Sequence, residues 1–223
     1  MFTAGNNSRR LARGFTLIEL LVVIGLISIL AAGIGISMRE GNPTSSLRGG
    51  QNTLVGLLSS ARGQAALSQA DAMIIVDVTS VEEELFLRSL QVVVRSGAGW
   101  RPVGAPVMLP PGIFVVPPQG TSLVTFTGTW DAKRKSSGFD SSISGVDPAD
   151  TTNNQLLGRT YLKFQNFTAL GTTSGTGRIL VTPGKRTSST TIELDNPEML
   201  RGVTVSRYGV PTLINEAGTF DNL

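Results

Sequence analysis

From Phe15 to Met38 the chain runs 24 residues with a single ionisable side chain, Glu19, near its start. As an α-helix that run measures roughly 36 Å at about 1.5 Å per residue, enough to cross a hydrocarbon core of about 30 Å with some tilt. A carboxylate on such a helix costs about 2.5–3.5 kcal/mol at the bilayer centre on insertion scales, so Glu19 needs a partner. Snorkelling to the headgroups is a poorer solution for its short side chain than for lysine or arginine. The segment ahead of the run is short and basic, with Arg9, Arg10 and Arg13 and no acid among residues 1–14. Positive charge beside a span holds that end in the cytoplasm, which places the 185 residues after Met38 on the far side. A secretory signal would carry an apolar stretch of about 7–15 residues with a small-residue cleavage site behind it. Here the run is longer and no Ala-x-Ala-like site follows.

The string Arg13-Gly14-Phe15-Thr16-Leu17-Ile18-Glu19 resembles the cleavage and methylation signature of type IV prepilins and type II secretion pseudopilins. The resemblance implies cleavage by a membrane-embedded prepilin peptidase between Gly14 and Phe15, N-methylation of Phe15, and a mature chain whose fifth residue is Glu19. Cleavage would create a positive amine at Phe15. In a filament of parallel helices, Glu19 of one subunit pairs with the Phe15 amine of its neighbour. Such a pair is far stronger in a low-dielectric surround than in water, and unpaired charges there are costly, so the pairing sets the axial register between subunits. Within the run, Gly33 and Ser37, like Ser28 and Ala32, are small residues four apart, a spacing that lets helices approach closely.

Charge supports removal of the leader. The whole chain has 19 basic and 16 acidic side chains, and three of the basic ones lie in residues 1–14, so a chain starting at Phe15 is neutral. Net charge then offers nothing toward binding polyanions.

Beyond Met38, Arg39-Glu40-Gly41-Asn42-Pro43 breaks or kinks the helix, and Thr44 or Ser45 is placed to cap a restart. From Leu47 to Ala70, Leu54, Leu57, Leu58, Ala61, Ala65 and Ala66 recur at helical spacing, although Gly49-Gly50 weakens the first turn. From Met73 onward the signal is β. Expected strands are 73–78, 85–95 (Phe86, Leu90, Val92 and Val94 on one face), 107–109, 113–116, 123–127, 160–164, 178–182, 190–194, 203–207 and 211–214. Turn-rich stretches such as Gly97-Ala98-Gly99 and Pro110-Pro111-Gly112 separate them. The expected fold is α+β: a long N-terminal α-helix, its first half transmembrane, packed on an antiparallel sheet or sandwich head. The boundaries are leader 1–14, transmembrane helix 15–38, amphipathic continuation 39–72 and β-rich head 73–223. Residues 128–159 are polar and poor in apolar side chains, and read as a flexible excursion.

The head also carries a looser likeness. Leu58-Ser59-Ser60-Ala61-Arg62-Gly63-Gln64-Ala65-Ala66, the stretch from Trp100 to Leu109-Pro110-Pro111-Gly112, and Val203–Gly209 are similar to the helix end, turn and late strand of the GspH/FimT group of minor pseudopilins, while Arg207-Tyr208-Gly209 departs from the usual order of the last hairpin. The resemblance implies a structural, non-enzymatic subunit of a periplasmic pseudopilus: single-pass in the bacterial inner membrane, N-terminus cytoplasmic, head periplasmic. Its implied partners are the prepilin peptidase/methyltransferase, other pseudopilins and the inner-membrane secretion assembly platform. Two alternatives stay open: a type IV pilus minor pilin aiding DNA uptake, and a membrane-anchored binding protein that never polymerises.

The chain contains no histidine and no cysteine, which removes imidazole bases, thiol nucleophiles, Ser-His-Asp triads and Cys/His zinc sites. Gly184-Lys185 fails the phosphate-loop pattern, because Ile179 and Arg186 stand where glycine and Ser/Thr are required. No cofactor and no metal are expected. Asp147, Asp150, Asn153 and Asn154 group hard oxygen donors, but their spacing matches no calcium loop and they read as a solvated polar loop. Glu82-Glu83-Glu84 reads as a charged turn. Lys133-Arg134-Lys135 and Lys185-Arg186 are the dense basic clusters, too few and too balanced by acids to predict nucleic-acid binding.

Overall fold

A computed structural model describes residues 16–37, 43–79, 82, 84–139, 145–149, 155–194 and 196–222, with no account of the side chains of 29–37 and 222. The chain divides into two units, Met1–Gly41 and Asn42–Leu223. The first holds helix α1, Leu17–Ser37. The small-residue pairs Gly33/Ser37 and Ser28/Ala32 fall on this helix, but Ala32, Gly33 and Ser37 are among the undescribed side chains.

The second unit opens with helix α2, Pro43–Ser68. It starts at Pro43, ahead of the expected caps Thr44 and Ser45. Proline suits the first helical position, where its missing N–H has no partner to lose. One side of α2 is buried: Leu47, Gly50, Gln51, Leu54, Leu57, Leu58, Ala61 and Ala65. Ala66 is exposed, contrary to the helical reading. Full burial of Leu54 and Leu58 is worth about 1.5–3 kcal/mol each. The glycine pair that seemed to weaken the helix has a packing reason. A Cβ on Gly50 would stand 3.1 Å from Ile113 Cγ2, so glycine lets the helix lie close on the 109–113 turn.

Among the described residues eleven strands follow: β1 Ala72–Asp77, β2 Ser89–Ser96, β3 Gly99–Met108, β4 Ile113–Val116, β5 Val124–Phe126, β6 Tyr161–Phe167, β7 Gly177–Pro183, β8 Lys185–Ser188, β9 Thr191–Leu194, β10 Arg201–Val205 and β11 Pro211–Ile214. They form two antiparallel four-stranded sheets, ordered β3-β2-β1-β6 and β11-β10-β7-β4, and a small sheet β5-β9-β8. In the small sheet β5 runs parallel to β9, the one departure from the expected antiparallel pairing among the described strands. Side chains of α2 share one core with Ile74, Val76 and Val92 of the first sheet and Val115, Ile179, Val181, Val203 and Val205 of the second. The α+β class is as expected.

Two differences from the sequence reading have local causes. Strand β2 starts at Ser89 rather than Leu85, because Leu85–Arg88 turn over: Arg88 N and Ser89 N donate to Leu85 O at 3.0 and 2.9 Å, with Leu87 at φ +56°. Leu87 then joins the sheets, its N–H donating to Asp77 O (2.8 Å) and its carbonyl accepting from Val115 N (2.9 Å). Strand β3 is ten residues long where only 107–109 was expected. It is an edge strand, where Pro102 and Pro106 are tolerated. Its register shifts between Leu90 and Val92, and buried Gln91 donates to Val103 O (3.2 Å) and Gly104 O (3.0 Å) at the irregularity.

The described parts of 128–159 are packed rather than free. Ser136 and Ser137 bridge to Pro118 and Arg178, Phe139 to Phe164 and Pro148 to Trp100. Val146 and Leu156 are buried with Met73, Ile75, Val93 and Tyr161 on the second face of the β1–β2–β6 layer.

Buried Gln51 ties α2 to the second sheet, donating through Nε2 to Gly202 O and Ile214 O, both at 2.8 Å. Gln51→Leu would remove both side-chain hydrogen bonds at once, a loss of roughly 1–3 kcal/mol. Urea unfolding of the detergent-solubilised chain measures it; a change below about 0.5 kcal/mol, the range of an ordinary surface substitution, would count against this role.

Candidate functional site

Helix α1 begins one residue after Thr16, and Glu19 is its third residue. Thr16 N and Thr16 Oγ1 both donate to Glu19 Oε2 at 2.9 Å, and Glu19 N donates back to Thr16 Oγ1 at 3.3 Å. This is a reciprocal capping box, in which the residue capping a helix and the third residue within it satisfy each other's orphan donors. The sequence signal was present: Thr16-Leu17-Ile18-Glu19 fits the Ser/Thr-x-x-Glu pattern ahead of an apolar run. The acid thus has a use within its own chain, and one oxygen, Oε2, is engaged in it. Gly14 and Phe15, the expected cleavage and methylation positions, lie outside the described residues. Counting only residues whose side chains are described, no helix is long and apolar enough to cross a membrane.

In the head, charged side chains gather at two places. At the first, Asp77 ends β1 almost fully buried. Its Oδ2 accepts from Arg159 Nη1 (2.7 Å) and its Oδ1 from Thr79 N (2.8 Å), while Arg159 Nη2 reaches Glu82 Oε1 at 2.7 Å. Glu82 of the expected charged turn is thereby an ion-pair partner, and Glu83 lies outside the described residues. Beside this group runs a cleft of about 340 Å³, lined by Ile75, Gln91, Arg159 and Tyr161 among others. Burial, followed by the Asp77 charge, pushes the Tyr161 hydroxyl up to about 12, so it stays neutral at ordinary pH. A carboxylate held by an arginine beside a neutral phenol braces this corner of the fold.

The second gathering absorbs the basic triplet. Arg134 Nη1 meets Glu198 Oε1 at 2.5 Å and Arg134 Nη2 meets Asp221 Oδ2 at 2.9 Å, with Nε on Asp221 Oδ1 at 3.0 Å. Lys133 Nζ donates to Asp221 O at 2.7 Å, and Lys135 Nζ stands 4.7 Å from the Phe126 ring centroid. Asp131 caps the short 3₁₀ turn Ala132–Arg134 by accepting from Lys133 N. The triplet fastens the 131–137 segment to the 3₁₀ turn Ala217–Asn222 and is not presented as a basic face. Arg186 of the other cluster donates to Ser188 O and Ser189 O and lies 5.3 Å from the Phe86 ring. Of the oxygen-donor group, Asp147 gives its backbone carbonyl to Trp100 N at 2.9 Å, while Asp150, Asn153 and Asn154 lie outside the described residues. Among the described residues no group of three acids is placed to hold a metal.

Residues 9–35 match the family model of the prokaryotic N-terminal methylation motif. The likeness to type IV pilins and pseudopilins expected from Arg13–Glu19 is borne out there. No curated protein matches the chain. Two solved structures of the minor pseudopilin EpsH from the Type 2 Secretion System of Vibrio cholerae are similar at 14% and 13% identity. They cover 74% of this chain and 92% and 90% of their own, each with a TM-score of 0.38. At that level they add no weight to the assignment.

Arg134 holds the Asp221 carboxyl below the usual carboxylate range. A depressed folded pKa stabilises above the unfolded value of about 3.9, and the contribution is lost as pH falls through the lower folded value. Asp221→Asn should therefore melt below the wild type at pH 6. The gap should narrow between pH 6 and about pH 2 as acid protonates the carboxyl and makes it neutral like the amide. A gap unchanged between those pH values would refute the linkage.

Proposed function

We propose that this chain is a minor pseudopilin of a type II secretion system, a structural subunit whose work is assembly rather than catalysis. A prepilin peptidase cuts between Gly14 and Phe15, Phe15 is N-methylated, and the segment from Phe15 to Met38 anchors the chain once through the inner membrane with the head in the periplasm. The observation that carries this reading is the methylation-motif match over residues 9–35, joined to the placing of Glu19 on the first turn of α1. The capping box refines the register idea. Glu19 Oε2 serves Thr16 of its own chain, which orients the carboxylate at the helix start and leaves Oε1 to receive the Phe15 amine of a neighbour. Other pseudopilins and the secretion assembly platform are the partners of this reading. The DNA-uptake alternative gains no support from the head, because Lys133, Arg134 and Lys135 are each engaged internally.

Mass spectrometry of the mature protein should find a methylated Phe15 terminus; an intact Met1 terminus would exclude the pilin pathway. Two substitutions then separate register from capping. Glu19→Val should leave processing intact and remove the chain from filaments. Thr16→Val deletes part of the cap, worth about 1 kcal/mol, but keeps the carboxylate, and should incorporate at near wild-type level. Equal loss in both variants would mean that Glu19 acts only as a cap.

A further inference from the structure

One row of side chains crosses the face of the second sheet that is turned away from the core. Thr212 on β11 stands opposite Thr204 on β10, and Thr204 opposite Arg178 on β7. Ser137 continues the row by an isolated antiparallel bridge to Arg178. Directly opposed residues of antiparallel strands project to the same side, so these four share one face while Ile179, Val203 and Val205 point into the core. With Thr176 and Ser206 they line a cleft of about 470 Å³, a size typical of ligand sites.

Arg178 is the oddity in it. Arg134 and Arg159 each hold two carboxylates. Arg178 is half-buried, and among the described residues its side chain pairs with no acid and donates through Nε alone, to Lys135 O at 3.0 Å. Burial lowers its pKa with no acid to offset the loss of hydration. A guanidinium drawn partly out of water without a counter-charge is held at a cost. Its planar fork matches a carboxylate in shape and charge. Among the described residues the hydroxyl of Thr204 reaches only Thr212 O, at a long 3.4 Å, so it has donor and acceptor capacity to spare.

We propose that this row binds an acidic peptide segment, with an Asp or Glu side chain on Arg178 and the peptide backbone on the flanking hydroxyls. Four strand positions span roughly 14 Å at about 4.8 Å per strand, the length of about four extended residues. The site belongs to the head alone and does not depend on which filament the chain joins.

The test titrates full-length protein in neutral detergent with acetyl-Ser-Gly-Glu-Gly-Ser-amide and with its glutamine counterpart, followed by calorimetry. The glutamate peptide should bind saturably and the glutamine peptide about tenfold more weakly, the loss expected from one charge-assisted contact. Arg178→Gln should lower glutamate-peptide affinity by a similar factor, and Arg178→Lys by less, since it keeps the charge and loses the fork. Thr212→Val, on an exposed edge strand, should weaken binding with an unchanged melting temperature, and it decides the matter if Arg178→Gln fails to fold. Equal binding of the two peptides, no saturation by the glutamate peptide, or wild-type affinity in folded Arg178→Gln or Thr212→Val would overturn the proposal.

Discussion

Leu54, Leu58, Ala61 and Ala65 are withdrawn completely from solvent along one side of α2, in a core shared with both four-stranded sheets. Neither sheet could bury its apolar face alone, since a sheet hydrophobic on one side needs a second layer. One helix serves both, which is why its buried side is narrow and built largely of leucine and alanine. Alanine at 61 and 65 and glycine at 50 bring the helix axis close to the strands. Larger residues would hold the sheets apart and open gaps that close packing does not tolerate.

Charge follows a different logic. Three arginines of the head are each treated differently. Arg159 braces the end of β1 through Asp77, Arg134 fastens two distant segments, and Arg178 faces an open row of hydroxyls. Partners lie 82 and 87 residues away in the first two cases. Linear spacing therefore carries no trace of them, and a triplet such as Lys133-Arg134-Lys135 looks like a surface patch until the fold brings Asp221 to it.

Legibility varied with how local the cause was. Apolar periodicity placed α2 and most of the strands, with β4 and β11 at their observed limits, because burial on one face is written into spacing. The limits of β2 were missed because Leu87 adopts a left-handed conformation that leucine rarely takes. Strand β3 was hidden by Pro102, Gly104 and Pro106, which an edge strand accepts and a central one does not. Strand β8 was missed because Lys185–Ser188 has no apolar face, its residues being largely exposed. At the N-terminus the cost of an acid in an apolar run drew attention to Glu19, yet its nearest partner, Thr16, was overlooked although the pair is four residues of plain pattern. The packed stretches of 128–159 were illegible for a further reason: few apolar residues, notably Phe139, Val146 and Leu156, hold a long polar segment in place.

Gln51 bears on how the head would respond to force. Its amide grips the carbonyls of two strands, β10 and the end of β11, at equal distance, while its oxygen receives Arg201 Nη1 at 3.3 Å. A pull along α2 would strain both contacts together, as a shear, whereas lifting the helix off the sheet would open its contacts in sequence, as a zip. A seam of that kind resists sliding more than peeling.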